Sequence, residues 1–227
     1  FWGLNAYVSR NFSSLDTRVL RGGPALASVP YWTGYISLNT SSAKNLSFTG
    51  SYHLSINEDD LYNFQQLSVT VKWLPVNRVR TSGVISYSMN NLEQQYIMGK
   101  TIDRNKLYLF GSLDQNILEF TLRTAVFFTP ELSLEYYGSQ YLSVGDYSDF
   151  KKVNESRSGV YSQRYTKYDE GNLEYYMNES RYHVSDPVIG TYDFYNPDFN
   201  FGEFRSNLVL KWEYNLGSVF YFVWTHN

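Results

Sequence analysis

The residues of this sequence that could carry catalysis or bind a metal are few and widely separated. The chain contains no Cys, so thiolate metal sites, cysteine nucleophiles and disulfides are excluded. Its three histidines, His53, His183 and His226, lie far apart and lack a metal-ligand spacing such as HExxH. No P-loop, dinucleotide-binding glycine pattern or GxSxG motif occurs. The sequence therefore indicates no catalytic, cofactor-binding or metal site, and we expect a protein that is not an enzyme.

Polar and aromatic side chains are concentrated in one segment, residues 145–203. It contains eleven Asp and Glu residues against six Lys and Arg residues, together with nine tyrosines. Tyrosine supplies both contact area and a hydroxyl group at interfaces, and neighbouring carboxylates can accept hydroxyl protons from a sugar. We therefore expect this segment to contact a glycan or a partner protein. The residues expected to do so are Tyr165, Tyr168, Tyr175, Tyr176, Tyr182, Tyr192 and Tyr195.

Two other interpretations of residues 145–203 remain open. Asp186, Asp193 and Asp198 could bind a divalent cation, although their spacing does not match an EF-hand loop. The segment could also be an ordered, solvated loop that packs on itself and has no partner. Its tyrosines argue against disorder, because aromatic residues are depleted in segments that do not fold.

The elements that would position this segment are long β-strands. Residues 44–56 alternate between apolar and polar side chains over thirteen residues, which corresponds to a strand of roughly 40 Å. Most strands in globular proteins reach about half that length. Similar alternation predicts about nine strands, at 32–41, 44–56, 65–73, 78–89, 116–128, 132–143, 205–214 and 219–225, with a less regular one within 2–20.

The connections between these strands alternate between short and long. Short turns are predicted at 41–44, 74–77, 129–132 and 215–218, and long loops at 18–31, 57–64, 90–115 and 145–203. A transmembrane β-barrel sorts its connections in this way, with short periplasmic turns and long extracellular loops. The pattern predicts an antiparallel, up-and-down transmembrane β-barrel in which 145–203 is the long extracellular loop.

Large aromatic residues stand just before three of the short turns and predict a girdle at a membrane interface. The alternative is that they cap the core of a soluble β-sandwich. The expected girdle consists of Trp73, Phe127, Phe128, Trp212 and Tyr214. The strand parity that accompanies it directs toward lipid Phe48, Leu54, Val69, Val71, Leu122, Leu134, Leu208 and Leu210.

Composition narrows the class of partner. The net charge is −3 and the sequence pI is about 5.6, which gives no basic surface for nucleic acid. No apolar run is long enough for a spanning helix, so contact with a membrane would have to use strands. The predicted polar strand faces are rich in Ser, Thr, Asn and Gln, which suit a hydrated barrel lumen better than the surface of a soluble sheet.

Four blocks of the sequence, which include "RGGPAL" (21–26), "TPELSL" (129–134) and "GDYSDFK" (145–151), are together similar to a known family. The chain resembles the C-terminal part of an uncharacterised outer-membrane protein family of Bacteroidota, in which a large domain of unknown function follows a family-9-like carbohydrate-binding module. The resemblance covers nearly the whole chain. It implies a β-barrel in the bacterial outer membrane and supplies no catalytic residues.

Members of that family are longer than this chain and continue past the position of residues 223–226 to a final aromatic-ended strand. We therefore expect residues 1–227 to be one portion of a larger barrel, acting as a channel or scaffold component of an envelope complex. The expected partners are outer-membrane lipid and other envelope proteins, with a glycan as a further candidate and no cofactor. The alternative function is that of a soluble β-sandwich domain that binds a glycan.

Overall fold

The computed structural model describes residues 2–42, 44–102 and 105–226, and most of them form β-strands. The predicted portion 1–227 therefore lies within the described residues except at positions 1, 43, 103, 104 and 227. The strands are, in chain order, β1 (Trp2–Asn11), β2 (Leu15–Asp16), β3 (Leu26–Ala27), β4 (Tyr31–Thr40), β5 (Leu46–Ile56), β6 (Tyr62–Val76), β7 (Val79–Ile102), β8 (Asn105–Phe127), β9 (Leu132–Val153), β10 (Tyr165–Lys167), β11 (Leu173–Tyr176), β12 (Arg181–Asp186), β13 (Gly190–Tyr195), β14 (Phe199–Asn215) and β15 (Ser218–His226). Two single-turn helices, α1 (Tyr161–Arg164) and a 3₁₀ turn (Met177–Glu179), lie between them.

The main sheet is antiparallel and has the order β1-β4-β5-β6-β7-β8-β9-β14-β15, with β10 added beside β9. A three-stranded sheet, β11-β12-β13, and the short pair β2-β3 accompany it. The predicted all-β, antiparallel class is confirmed. Within the described residues β1 pairs only with β4 and β15 only with β14, so the main sheet is open rather than closed into a barrel.

All the long strands of the main sheet overlap strands predicted from alternation, but the predicted loop at 90–115 is wrong. Here β7 and β8 continue as a paired hairpin up to the partners Ile102 and Asn105. Two register shifts, between Leu92 and Gln95 and between Tyr96 and Met98, break the two-residue period. Residues 107–113 of this extension are also covered on both faces by other parts of the chain, which removes the polar half of the pattern there.

The predicted loop at 145–203 is also shorter than expected. β9 runs on to Val153 and β14 already begins at Phe199. The intervening residues 154–198 contain α1, the 3₁₀ turn and β10–β13. The segment is a small folded unit that packs on itself and on the main sheet.

Three tight turns lie at one end of the main sheet, which we call the turn end. They connect β6 to β7, β8 to β9 and β14 to β15. In the β8–β9 turn, the Thr129 hydroxyl accepts hydrogen bonds from the backbone N–H groups of Glu131 and Leu132, while Pro130 needs no ladder partner. Gly217 adopts a φ of 76° in the β14–β15 turn, which residues other than Gly rarely adopt.

The hydrophobic core lies at the opposite, distal end, where β7, β8 and β9 extend past their neighbours. Successive residues of β8 face opposite ways there: Leu109 packs into one cluster and Phe110 into another, both fully buried. The first, the sheet cluster, contains Leu107, Leu109, Phe150, Tyr168, Val184, Tyr192 and Phe194. The second, the strap cluster, contains Leu20, Leu26, Phe110 and Tyr165.

Candidate functional site

One face of the main sheet is apolar and exposed. Val69 on β6, Ile85 on β7 and Phe120 on β8 are successive cross-strand partners, with exposed fractions of 37, 49 and 45%. The residues predicted to face lipid share this face by register. Further exposed members on these and the other strands are Leu4, Ile36, Leu38, Tyr52, Leu67, Tyr87, Leu118, Leu142, Phe204, Phe222 and Trp224.

The opposite face of the same sheet carries small polar side chains, many of them buried. Ser55, Ser88 and Ser143 are each 3% exposed or less. A hydrogen-bond ladder crosses three strands, from Asn90 to Gln115 (3.3 Å) and from Gln115 to Ser143 (3.0 Å). A sheet of a soluble protein buries its apolar face and exposes its polar one. The burial in this sheet is therefore inverted.

The exposed apolar face is a band of limited height. On β8 the apolar-face positions extend from Leu118 to Val126. The next two positions on this face toward the distal end are the polar residues Asn116 and Asp114. This length agrees with the roughly 9–11 residues that a tilted strand needs to cross a bilayer. Asp114 is the cross-strand partner of Asp146 on β9. The apolar band therefore ends at these two aspartates.

Four of the five expected girdle residues lie exposed near the turn end. Trp73, Phe128, Trp212 and Tyr214 are about half exposed, and the rings of Trp212 and Tyr214 meet edge to face at 5.9 Å. Phe127 differs. It has the polar-face parity of β8, and the Arg80 guanidinium lies 5.2 Å from the centre of its ring. Of the five predicted girdle rings, the other four are therefore exposed near the turn end and Phe127 is not part of that set.

The seven tyrosines predicted as contact residues divide between two environments. Tyr165, Tyr168 and Tyr192 are buried in the two hydrophobic clusters. Tyr182 stacks on Phe194 on the inner face of the three-stranded sheet. Only the remaining three present substantial exposed surface: Tyr175, Tyr176 and Tyr195.

The outer face of the three-stranded sheet forms two cross-strand rows. The first row is Tyr176, Arg181 and Tyr195, in which the Arg181 guanidinium lies 4.5 Å from the centre of the Tyr195 ring. The second row is Glu174, His183 and Asp193. We call these six residues the outer surface.

Hydrogen bonds organise the outer surface. The His183 Nδ1 lies 2.6 Å from the Asp193 carboxylate, and the Tyr176 hydroxyl donates to Glu174 at 3.0 Å. A shallow cavity of about 190 Å³ is lined by residues of both rows and by Glu179. The sequence prediction missed Arg181, Glu174 and His183, although the short alternation of β12 and β13 contained the signal.

Asp186 anchors the three-stranded sheet to β9. Its carboxylate accepts hydrogen bonds from Lys152 at 2.5 Å and from the Tyr168 hydroxyl at 2.9 Å. The backbone N–H groups of Val188 and Ile189 donate to its other oxygen. Burial alone would raise the pKa of Asp186, but these donors outweigh it and lower the pKa to about 2.

The three aspartates considered for a cation have separate partners. Asp186 binds Lys152, Asp193 binds His183, and Asp198 accepts the backbone N–H of Tyr147 at 2.6 Å. In the part of the chain that the structure describes, no group of three or more His, Asp or Glu residues has the arrangement of a metal site.

The chain matches no family model, no curated protein and no solved structure. Across residues 2–42, 44–102 and 105–226, no helix has the length and hydropathy needed to span a membrane.

Proposed function

We propose that the chain forms part of the wall of a β-barrel in the bacterial outer membrane. In this proposal the protein is a channel or scaffold component of an envelope complex and acts by placement and binding rather than by catalysis. The observation that carries the proposal is the inverted burial of the main sheet. Its apolar face is exposed across nine strands, while its polar face is hydrogen-bonded between neighbours.

Lipid is the environment that fits this arrangement. A contiguous apolar face of this extent exposed to water would promote association. Contact with lipid hydrocarbon would keep that apolar surface out of water. The band on β8 has the length of a membrane-crossing strand, and aromatic side chains lie at its turn end. Short periplasmic turns are general in such barrels, so the distal end and its three-stranded sheet are assigned to the outside of the cell.

The two edges of the main sheet add a requirement to the proposal. The outward backbone groups of β1 and β15 have no strand beside them within the described residues. Unpaired backbone groups are not tolerated in hydrocarbon. We therefore propose that further strands, or a partner wall, pair with both edges in the membrane.

Membrane fractionation tests the proposal. The protein, expressed with an export signal, is expected to sediment with outer membranes and to resist extraction by alkaline carbonate. Release by carbonate, with a monodisperse soluble protein in the supernatant, would contradict the barrel proposal and favour the soluble β-sandwich. A known outer-membrane barrel and a known periplasmic protein serve as controls in the same fractions.

We also propose that the outer surface contacts a glycan at the cell exterior. It combines exposed tyrosine rings, an arginine and three groups that accept or donate hydrogen bonds around a shallow cavity. Aromatic rings stack on the apolar faces of sugars, and carboxylates accept their hydroxyl protons. Tyr168 and Tyr192 are buried beneath this surface, and Tyr165 is buried in the other cluster with Leu20 and Phe110, so none of the three contacts the glycan in this proposal.

Glycan binding by intact cells or membranes tests this second proposal. Tyr176→Ala and Asp193→Ala should each reduce retention on immobilised cell-surface polysaccharide by about tenfold. Tyr165→Phe is the matched control, because Tyr165 is buried and should leave retention unchanged. Equal retention by all variants would overturn the assignment, and loss of a co-purifying envelope protein from the Tyr176→Ala variant would assign the surface to a protein partner instead.

A further inference from the structure

Three cationic side chains converge on the polar face of the main sheet near the turn end. Lys72 on β6, Ser82 on β7 and Arg123 on β8 are successive cross-strand partners. Arg80 lies two residues before Ser82 on β7 and so shares its face. Because Ser82 is small, the three longer side chains surround an open space between them. This space belongs to a cavity of about 440 Å³.

The charge of this cavity is uncompensated. Lys72, Arg80 and Arg123 form no ion pair within the described residues, and neither does Glu135, which lines the same cavity. The lining therefore has a net charge of +2, although the whole chain is at −3. Arg80 lies diagonally from Lys72 and from Arg123 on the two neighbouring strands. Charges of the same sign repel, so an anion between the three would relieve repulsion.

Aromatic rings hold the two arginines in defined orientations. The Arg80 guanidinium lies 5.2 Å from the centre of the Phe127 ring, and that of Arg123 lies 5.3 Å from the centre of the Tyr137 ring. An arginine stacked on a ring keeps the N–H groups at its edge available for bidentate bonds to an oxyanion. Phe127, which does not join the girdle, thus has a role here.

The remaining lining is largely apolar. Ala125, Val209 and the ring of Tyr137 line the cavity beside the cations. A small, strongly hydrated inorganic ion would leave these surfaces unused, whereas an organic anion would contact both parts.

We infer that this polar-face cavity binds an organic anion whose carboxylate groups pair with Arg80, Arg123 and Lys72 while its apolar body packs against Ala125, Val209 and Tyr137. The site goes beyond the proposed placement in the membrane. It depends on the geometry of five neighbouring strands, β6, β7, β8, β9 and β14, and not on what covers the opposite face.

Isothermal titration of the detergent-folded protein with phthalate, an aromatic dicarboxylate, tests the inference. Phthalate should bind, the neutral phthalamide should not, and inorganic phosphate should bind more weakly. Arg123→Gln and Lys72→Gln should each weaken phthalate binding by about tenfold. Arg205→Gln is the matched control, since Arg205 lies on the same sheet but is paired with Glu203 at 2.7 Å; its effect should stay below about twofold.

Several outcomes would overturn the inference. These are no binding of phthalate by folded protein, equal effects of Arg123→Gln and Arg205→Gln, or phosphate binding as tight as phthalate binding. The Lys72→Gln variant keeps the test decisive if Arg123→Gln does not fold. Because only folded protein is titrated, a negative result would leave the membrane proposal intact, whereas carbonate release would leave the anion site intact.

Discussion

The two ends of β8 lie in different surroundings. Toward the distal end, Leu109 and Phe110 point to opposite faces and both are fully buried by protein. Toward the turn end, Phe120 and Leu122 lie on an apolar face that no part of the described chain covers, and Phe120 is 45% exposed. The same strand is thus a core strand at one end and carries a bare apolar surface at the other.

In the proposed membrane placement, this difference corresponds to a change of solvent along the strand. In the distal region protein segments supply the apolar contacts. The buried Lys151 and Lys152 are paired there with Glu93 and Asp186, and the buried Arg164 donates to the backbone carbonyl of Ala27. In the band, hydrogen bonds between strands connect polar-face side chains such as Asn90, Gln115 and Ser143, and in the proposed placement lipid covers the apolar face. If the account is right, the two regions should respond to different changes and do so independently.

Removal of the Asp186 carboxylate should have the largest effect, and only in the distal region. Asp186→Ala leaves the Lys152 ammonium buried without its partner, so we expect a loss of about 3–5 kcal/mol in the unfolding free energy of the three-stranded sheet. Proteolysis in the folded state would detect this as faster cleavage within 154–198. Asp193→Ala is the control: its carboxylate is about half exposed, and the loss should be below about 1 kcal/mol. Slower insertion of the band by Asp186→Ala would contradict the independence of the two regions.

A charge placed on the apolar band should have the next largest effect. Val69→Arg puts a guanidinium into hydrocarbon and should cost about 2–4 kcal/mol of folding free energy in lipid vesicles. Ser68→Arg, one residue away on the polar face of β6, should cost little because that face is hydrated. Urea titration of vesicle-folded protein measures both. Equal costs for the two variants would count against the membrane placement.

Low pH should reduce the stability of the distal region and leave the stability of the band unchanged. Since the pKa of Asp186 in the folded protein is about 2, below its usual value of 3.8, its stabilising effect is present above about pH 4 and is lost as the pH falls toward 2. The shift corresponds to roughly 2 kcal/mol. Urea unfolding followed by near-ultraviolet circular dichroism between pH 6 and pH 2.5 should show this slope. Asp186→Asn should lack the slope, and an unchanged slope in that variant would rule out Asp186 as its source.

The strands of the band were predictable from sequence because each face of the sheet has one kind of surroundings, so that apolar and polar residues alternate along each strand. Residues 44–56 and 65–73 alternate regularly apart from Lys44, Gly50 and Gln65, and both fall largely within observed strands, β5 and β6. The turns were predictable for a similar reason, since Pro130 and Gly217 have backbone preferences that do not depend on distant contacts.

The distal region was not predictable in the same way. Along residues 107–113 both faces are covered by protein, so the run "LYLFGSL" lacks a polar half-period. Register shifts near Leu92 and Tyr96 disturb what alternation remains. The burial of Tyr168 and Tyr192 depends on contacts with distant β8 and β9. Local alternation puts Tyr192 and Tyr195 on opposite faces of β13 but does not tell which face is buried.

The contact surface was predictable only in part. Alternation in "TYDFY" (191–195) places Tyr192 and Phe194 on one face and Asp193 on the other. Pairing with β12 then decides that His183 and Arg181 join the outer surface, and that register is set by long-range packing of the inner face on the sheet cluster.

Site-directed spin labelling along β6 tests the central claim most directly. The chain has no native Cys, so single Cys variants at 66 to 71 can each carry one nitroxide in vesicle-folded protein. The account predicts an accessibility that alternates every two residues: labels at Leu67, Val69 and Val71 should collide with oxygen dissolved in lipid, and labels at Gln66, Ser68 and Thr70 with a water-soluble nickel complex. Access of the nickel complex to both sets, or to Val69 above Ser68, would contradict a lipid-facing band.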